Sequence, residues 1–290
     1  MIYRLVRQLK KVYSVKNLCR LLNVSRSGFY EAKQRPKDLA VEACVKAAFV
    51  ASGCCYGSRR LSVALRAYGY RVGRYKVRRL MRKYGLRTSW KRKFVHTTDS
   101  KHELPVAENV LNRQFDPVAP NQAWTSDITY IRTGAGWLYL AVVMDLFSRK
   151  IVGWSMASHM KTSLVQDALR MALQQRRPPQ GLGLHSDRGC QYASHDYQQL
   201  LKANGIVCSM SRKGNCWDNA PMERFFLNLK MERVWQRNYA NHGEAIRDIT
   251  EYIVSFYNTC RLHSKLHYRP PVVYEQEWVA KQPITVSEKT

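Results

Sequence analysis

Three carboxylic acids lie in sequence contexts that point to metal-dependent chemistry. Asp127 interrupts an apolar run in the string WTSDITY, Asp187 follows a short apolar stretch in LHSDRGCQY, and Glu223 lies in DNAPMERFF. A spacer of 35 residues, 188–222, separates Asp187 from Glu223. Carboxylate oxygens are the ligands that Mg²⁺ prefers, and two such ions stabilise the attacking and leaving oxygens in phosphoryl transfer. The three acids are therefore candidate catalytic residues and ligands of two Mg²⁺ ions, for which Mn²⁺ could substitute.

The elements that must position these acids form a mixed α/β pattern that begins near residue 122. Predicted strands cover 123–131, 137–147, 151–156, 181–186 and 206–210, and predicted helices cover 163–174, 195–203, 219–235 and 243–260. Three strands, helix, strand, helix, strand and helix is the element order of the RNase H-like fold, so an α/β fold of that class is expected. In this fold we expect Asp127 to lie on the first strand and to bridge the two ions, Asp187 to end the fourth strand, and Glu223 to lie in the first turns of a long helix.

The positive charge is concentrated in the front third of the chain. The formal net charge is +27; residues 1–100 contain 25 Lys and Arg against 4 Asp and Glu, and residues 101–290 contain 23 against 17. The front third therefore carries +21 and the remainder +6. Such an excess indicates a polyanionic partner, with nucleic acid favoured over an anionic membrane surface.

Two helix-turn-helix units are predicted in this basic region. In residues 10–35 an apolar stripe with helical spacing is followed by a turn at Asn23, and Ser25 is a good N-cap that places Arg26 in the first turn of the second helix. Residues 56–86 repeat the arrangement, with six basic residues and no acid among ten positions, 74–83. An ordinary helical hairpin and a solvated basic face are the alternatives. Candidate DNA contacts are Arg26, Arg59, Arg60, Arg74, Lys76, Arg78, Arg79 and Arg82.

These patterns divide the chain into five segments. We expect a helix-turn-helix at 1–50, a second basic helix-turn-helix-like domain at 51–104, a linker at 105–120, an RNase H-like core with C-terminal helices at 121–280, and a tail at 281–290.

Other classes of protein find little support in the sequence. The eight cysteines form no C-x-x-C pair and have no zinc-finger spacing, which favours reduced thiols. The N-terminus alternates apolar and basic residues and does not read as a secretory signal, and no apolar run is long enough to span a membrane. A cytoplasmic protein associated with the bacterial nucleoid is expected.

Six strings resemble a known family in both content and order. They are YGSRRL at 56–61, WTSDITYI at 124–131, YLAVVMDLFSRKIVGW at 139–154, LHSDRGCQY at 184–192, NCWDNAPMERFF at 215–226 and YNTCRLHSKLHYRPP at 257–271. They resemble the integrase core of retroviral integrases and transposases, and more closely the OrfB-type transposases of the IS3 family of bacterial insertion sequences. The resemblance implies Asp127, Asp187 and Glu223 as the catalytic D-D-E triad, and Lys230 as a contact to the transposon end.

Further polar residues lie beside the triad motifs. We expect Asp145 to be a structural or supporting carboxylate paired with Arg149; without the resemblance it would be a rival third ligand. Asp218 is expected to cap the helix of Glu223. Asn219, one turn before Glu223, could orient that side chain.

Several basic residues follow the same motifs. Arg188, Arg212 and Lys213 are candidate phosphate contacts near the active site, and Arg261, His263 and Lys265 could do the same near the C-terminus. A basic surface is the alternative for each one.

The sequence also departs from the family in three respects. Arg224 follows the triad glutamate, where the family often has a small residue. A fused transposase of the family also has an upstream helix-turn-helix and a leucine zipper; no heptad repeat is found in this sequence, so the chain is expected to correspond to the second reading frame alone. The His/Cys zinc module of retroviral integrases is also absent.

The function implied is metal-dependent 3′-end cleavage and strand transfer of an insertion sequence, without a covalent enzyme–DNA intermediate. Expected partners are the terminal inverted repeats and target DNA, a second copy of the chain in a dimer or larger assembly, and the first-frame protein of the same element; no membrane partner is expected. Two alternatives stay open at this point: a sequence-specific DNA-binding regulator with an inactive core, and an RNase H-type nuclease that cuts without joining.

Overall fold

The computed structural model describes residues 2–88, 105–213 and 215–282. The chain divides into two compact units, Met1–Thr88 and Ser89–Thr290. Parts of the predicted second helix-turn-helix domain (89–104) and of the predicted tail (283–290) lie outside the described residues.

The described part of the first unit is helical. Its helices are α1 (Ile2–Leu9), α2 (Val15–Leu21), α3 (Arg26–Ala51), α4 (Ser58–Ala67) and α5 (Arg74–Lys83). Ser25 caps α3, as predicted, because its hydroxyl accepts a hydrogen bond from the Gly28 N–H at 3.2 Å. Asn23, in the turn before α3, has a positive φ of 49°, a conformation that asparagine tolerates better than most residues. Helix α3 continues past the boundary expected near residue 50.

Helices α4 and α5 form the second predicted helical pair. Val77, Leu80 and Met81 are the buried side chains of α5, at the i, i+3, i+4 spacing of one helix face. Gly85 follows the helix with a φ of +63°, the left-handed conformation that commonly ends a helix. The basic side chains of α5 are thus left on the faces that do not enter the core.

The second unit is built on a five-stranded mixed sheet. Its elements are β1 (Ala123–Thr133), β2 (Gly136–Asp145), β3 (Ile151–Ala157), α6 (Thr162–Arg176), β4 (Gly183–Ser186), α7 (Cys190–Ala193), α8 (His195–Ala203), β5 (Val207–Met210), α9 (Ala220–Glu232), α10 (His242–Glu251) and α11 (Pro271–Val279). The strand order is β3-β2-β1-β4-β5, with β1, β2 and β3 antiparallel and with β4 parallel to both β1 and β5. This topology confirms the predicted RNase H-like fold.

The structure differs from the predicted elements in three respects: two further helices, a π-helical segment, and a linker that packs against the sheet. Helices α7 and α11 were not expected, and the helix predicted over 243–260 is α10 followed by a π-helical segment, Tyr252–Tyr257. Residues of the expected linker lie against β5: the Leu111 N–H donates to the Ser209 hydroxyl at 3.0 Å.

The two faces of the sheet pack against different helices. Alternate strand residues such as Trp124 and Val143 belong to the core cluster that includes α6 and α8. Val142 and its same-face neighbours belong to the cluster that includes α9 and α10. Asp127 pairs with Val142 in the β1–β2 register and therefore lies on the face that α9 covers.

A close contact between α6 and β3 lies within the first of these two core clusters. A Cβ at Gly153 of β3 would lie 2.2 Å from the carbonyl oxygen of Ala168, so only glycine allows α6 to approach the sheet this closely. Among the described residues, no helix is long and apolar enough to cross a membrane.

Candidate active site

Asp127 lies in the middle of β1, half-buried beneath α9. Its Oδ1 accepts a hydrogen bond from the Ile128 N–H at 2.7 Å, and its Oδ2 accepts one from Asn219 Nδ2 at 3.2 Å. Both carboxylate oxygens are therefore held in position by neighbouring donors. A carboxylate within an otherwise apolar strand is tolerated because it has these partners.

Asn219 connects Asp127 to a neighbouring residue on the same strand. The Thr125 hydroxyl donates to Asn219 Oδ1 at 2.5 Å, which leaves the Nδ2 group turned toward Asp127. The expectation that Asn219 orients Glu223 is therefore wrong: Asn219 ends the 3-10 turn before α9, and from there its amide bonds Asp127. Sequence reasoning missed Thr125. The available signal was its position two residues before Asp127, on the same face of the strand.

Asp187 follows β4 directly, as predicted. The parallel register pairs Thr125 with His185, and continuing it by two residues brings Asp187 beside Asp127. Asp187 Oδ1 accepts a hydrogen bond from the Gly189 N–H at 2.9 Å. Two acids that are 60 residues apart in the sequence thus become neighbours because their strands are adjacent and parallel.

Glu223 and Lys230 both lie on α9, seven residues or about two turns apart, and so on one helix face. The Glu223 side chain is exposed and Lys230 is half-buried. Lys230 Nζ lies 4.7 Å from the centre of the Tyr130 ring, a cation–π distance. Helix α9 therefore brings one acid and one cation to the face of β1 that carries Asp127.

Burial and neighbouring charges shift the pKa values of three of these four side chains, Asp127, Glu223 and Lys230. The pKa of Asp127 is raised well above its ordinary value, first by burial and then by the negative charges of Asp187 and Glu223. The Ile128 N–H and the Lys230 ammonium oppose this rise. Burial raises the pKa of Glu223 and lowers that of Lys230, against the pull of Asp127 on the lysine. The three carboxylates put excess negative charge in a partly buried site. A bound cation would neutralise part of that charge.

Asp145 is fully buried on the opposite face of the sheet. Its oxygens accept from the Asn121 N–H at 2.8 Å, the Trp124 Nε1–H at 3.2 Å and the Phe147 N–H at 2.8 Å. Its cationic partner is Arg176, at 3.4 Å, and not Arg149 as the sequence suggested.

Two observations explain the surroundings of Asp145. Arg149, which follows β2 with a φ of +58°, instead bonds Asp116 at 2.7 Å. Asp145 pairs with Trp124, three residues from Asp127, and an odd separation along a strand reverses the face. The geometry therefore separates Asp145 from the three candidate acids.

Asp218 does not cap α9, contrary to expectation. The N-cap residue of α9 is Asn219, which makes no side-chain cap bond. Asp218 is instead buried and accepts from the Arg212 guanidinium (2.8 and 3.0 Å), from Arg113 Nε (2.8 Å) and from Asn109 Nδ2 (3.0 Å). The Arg212 hydrogen bond is the main cause of its lowered pKa. This carboxylate closes the loop between β5 and α9 because two guanidinium groups converge on it.

The three basic residues predicted near the site differ in their exposure and in their hydrogen-bond partners. Arg188 is half-buried and its Nε donates to the Ser211 carbonyl at 2.6 Å, whereas Lys213 is exposed. The Arg212 guanidinium is engaged by Asp218. These contacts stabilise the β5–α9 loop, and the roles of all three residues as DNA contacts stay predictions.

Among the basic residues predicted to contact phosphate near the C-terminus, the prediction for Arg261 is wrong. Arg261 is only 1% exposed and forms a two-bond ion pair with Glu232, at 2.8 and 2.7 Å, so it cannot grip phosphate. His263 packs edge-on against Tyr257. Lys265 is exposed and lies 3.6 Å from Asp116.

The candidate DNA contacts of the first unit lie mostly at its surface. Arg26, Arg59, Arg78, Arg79 and Arg82 are exposed, and Arg60, Arg74 and Lys76 are half-buried. The Arg60 guanidinium lies 5.5 Å from the Tyr56 ring centre, and that of Arg74 lies 5.0 Å from the ring of Tyr75. Clustered exposed cations are the electrostatic footprint of nucleic-acid binding.

Comparison with known families gives three matches along the chain. Residues 117–216 and 204–271 match family models described as Integrase core domain, and residues 36–94 match one described as HTH-like domain. The last range includes the end of α3 together with α4 and α5. The matches therefore cover both structural units.

Two relatives are similar over almost their whole length. The IS600 uncharacterized 31 kDa protein of Shigella sonnei is 44% identical over 269 residues, covering 90% of this chain and 98% of the relative. Transposase InsF for insertion sequence IS3A of Escherichia coli (strain K12) is 42% identical over 276 residues, covering 92% and 96%.

Solved integrase cores are more distant. The catalytic core domain of BIV integrase is 21% identical with a TM-score of 0.44, over 56% of this chain and 99% of that one. The HTLV-2 integrase core solved in complex with magnesium (trimeric form) is 17% identical with a TM-score of 0.43, over 55% and 98%.

Proposed function

The chain belongs to the transposases of the IS3 family of insertion sequences, and from this membership we propose that it cuts the 3′ ends of an insertion sequence and joins them to a second DNA strand, using two divalent metal ions. The family makes it a DNA transposase and hence a polynucleotidyl transferase. Beyond family membership, we propose the reaction, the metal ions and the catalytic residues. Asp127, Asp187 and Glu223 are assigned as the catalytic acids and metal ligands.

The observation that carries the proposal is the meeting of three acids from β1, β4 and α9. The parallel β1–β4 register brings Asp187 beside Asp127, and α9, which covers that face of β1, carries Glu223. The charges of Asp187 and Glu223 add to burial in raising the pKa of Asp127. In the ranges that the structure describes, no three His, Cys, Asp or Glu side chains are already gathered as a finished metal site. Divalent cations would offset the repulsion among the three carboxylates. An all-oxygen donor set fits Mg²⁺, with Mn²⁺ as its substitute.

Each residue has a distinct part in the proposed site. When bound, the ions would stabilise charge on the attacking and leaving oxygens of phosphoryl transfer. Asp127 would bridge them, held by Ile128 and Asn219. Asp187 would contribute from the end of β4 and Glu223 from α9. The Lys230 ammonium, which interacts with Asp127, would receive a phosphate of the transposon end.

The first unit supplies the proposed grip on terminal inverted repeats. Arg26 lies in the first turn of α3, the position from which such helices reach base edges. The exposed arginines of α4 and α5 would neutralise phosphates. Two transposon ends must be held together for joining, so a dimer or larger assembly on DNA is expected, with the first-frame protein of the element as a possible further partner.

A cleavage and joining assay tests the proposal. The substrate is the DNA that flanks this gene, with Mg²⁺, and the variants are Asp127→Asn, Asp187→Asn and Glu223→Gln. Each variant is expected to lose both cleaved and joined products while its DNA affinity stays unchanged. Asp167→Asn is the matched control, since Asp167 is an exposed acid on α6 that pairs only locally, with Arg170 at 3.1 Å.

The same assay separates the rival functions. Cleaved strands without joined strands from the wild type would favour a nuclease. DNA binding by the wild type and by the frame-fused longer protein, without any Mg²⁺-dependent product, would favour a regulator with an inactive core. Normal joining by any one of the three variants would remove that acid from the proposed triad.

A further inference from the structure

Trp217 is an exposed tryptophan that directly precedes two buried residues. Its side chain is 69% exposed, whereas the next two residues, Asp218 and Asn219, are 0% and 5% exposed. A tryptophan ring is large and apolar, and it usually packs into a core or an interface. Single exposed apolar side chains are common, so the exposure of Trp217 gains its meaning from its position two residues before Asn219, which contacts Asp127.

The backbone that presents Trp217 is firmly held. Trp217 lies in the 3-10 turn Cys216–Asn219. Asp218 is bound by Arg212, Arg113 and Asn109, and Asn219 is bound to Asp127 and Thr125. The ring is thus held two residues from the side chain that contacts Asp127. A preorganised aromatic group loses little conformational entropy when it binds.

The charges around the ring favour a polyanion. Lys213 and Arg224, on either side of the turn in the sequence, are both exposed. The nearest acid, Asp218, already accepts two guanidinium groups. An aromatic ring flanked in the sequence by exposed cations has the composition that binds unpaired nucleotides, since any base can stack on the ring while the cations contact phosphates.

We propose that Trp217 stacks on an unpaired base of the DNA end, next to the phosphate that the enzyme attacks. The proposal rests on the proposed function, because it takes the DNA end at the triad as its ligand. Opening of the base pair beside the cleavage point costs unstacking energy, and a stack on Trp217 would stabilise the base that is released. Trp217 is thus assigned to substrate binding and not to the chemical step.

A double-mutant cycle between the ring and the base tests this assignment. The DNA is a duplex from the sequence flanking this gene that ends at the element terminus, with an abasic site placed in turn at each position beside the cleavage point. Dissociation constants are measured with EDTA present, so the result does not depend on cleavage. Trp217→Ala and an abasic site at one such position are each expected to weaken binding about tenfold, as for the loss of one base–aromatic stack.

The decisive expectation is that the two losses do not add. The abasic DNA should bind Trp217→Ala no more weakly than intact DNA does, and Trp217→Phe should recover most of the wild-type affinity. Trp137→Ala is the matched control, since Trp137 is also exposed but lies at the hairpin end of β2. It should keep the full abasic effect.

Two results would overturn the proposal. Additive losses at every position would show that Trp217 does not contact a base. A Trp217→Ala protein with unchanged DNA affinity but a smaller mass in its DNA complexes would assign the ring to a contact with a second copy of the chain. If the cycle shows coupling but the wild type never cuts in Mg²⁺, the stacking assignment stands and the proposed function fails.

Discussion

Replacement of Asn219 by leucine removes both hydrogen bonds that connect β1 to the start of α9 while keeping a similar volume. Thr125 is 1% exposed, so its hydroxyl would be left as a buried unsatisfied group, at a cost of about 1–3 kcal/mol in the free energy of unfolding. Asp127 would keep the Ile128 N–H but lose the donor on its second oxygen. Groups that orient a metal ligand typically contribute about 10- to 100-fold to activity or metal affinity.

We therefore expect Asn219→Leu to lower kcat about 10- to 100-fold and to weaken Mn²⁺ binding, measured by the electron paramagnetic resonance signal of free Mn²⁺. Thr125→Val is the graded control, because it removes the donor to Asn219 but keeps the Asn219–Asp127 bond, and it should have a smaller effect on both quantities. DNA affinity should be unchanged in both variants. Wild-type kcat and Mn²⁺ affinity in Asn219→Leu would refute the reasoning, as would a loss confined to DNA affinity.

Three further predictions concern DNA binding and stability. Arg79→Ala, on the exposed face of α5, should weaken DNA binding and reduce the slope of log K against log salt by about one, measured by fluorescence anisotropy; an unchanged slope would show that α5 does not contact phosphates. Arg261→Met should lower the free energy of unfolding by about 3–5 kcal/mol, because it leaves the Glu232 carboxylate buried without its cation, and the salt slope of DNA binding should not change. Asp218→Asn should lower it at pH 7 by less than Arg261→Met does, because the guanidinium partners of Asp218 are nearly half exposed. Since the pKa of Asp218 is lowered in the folded state, this stabilisation is present above the unfolded pKa of about 3.9 and is lost as the pH falls through the folded value. The difference between Asp218→Asn and wild type in denaturant titrations should therefore shrink on acidification; a constant difference would contradict the assignment.

The sequence predicted the elements of the core because each carries a strong local signal. The strands alternate or run apolar, and the acids interrupt them at the positions where the structure has Asp127 and Asp187. The RNase H-like topology followed from the order of these elements. The motifs around the acids were also the basis for recognising the family.

The partners of individual side chains were harder to predict, because they depend on register and on distant segments. Asp145 pairs with Arg176 from the end of α6, and not with the nearby Arg149. Arg261 looked like one more surface cation in a basic motif, but α9 supplies Glu232 and buries it. Asn219 bonds a strand 92 residues away in the sequence. Local periodicity contains no information on such contacts.

The most direct test of the central claim is the joining of a transposon end that has already been cut. A duplex with a free 3′-OH at the element terminus is incubated with target DNA and Mg²⁺, and joined strands are counted for the wild type and for Asp187→Asn. If one carboxylate site performs both steps, the wild type joins the ends and the variant binds them without joining. Wild-type levels of joined strands from Asp187→Asn would contradict the account, because strand transfer would then proceed without the site built by Asp127, Asp187 and Glu223.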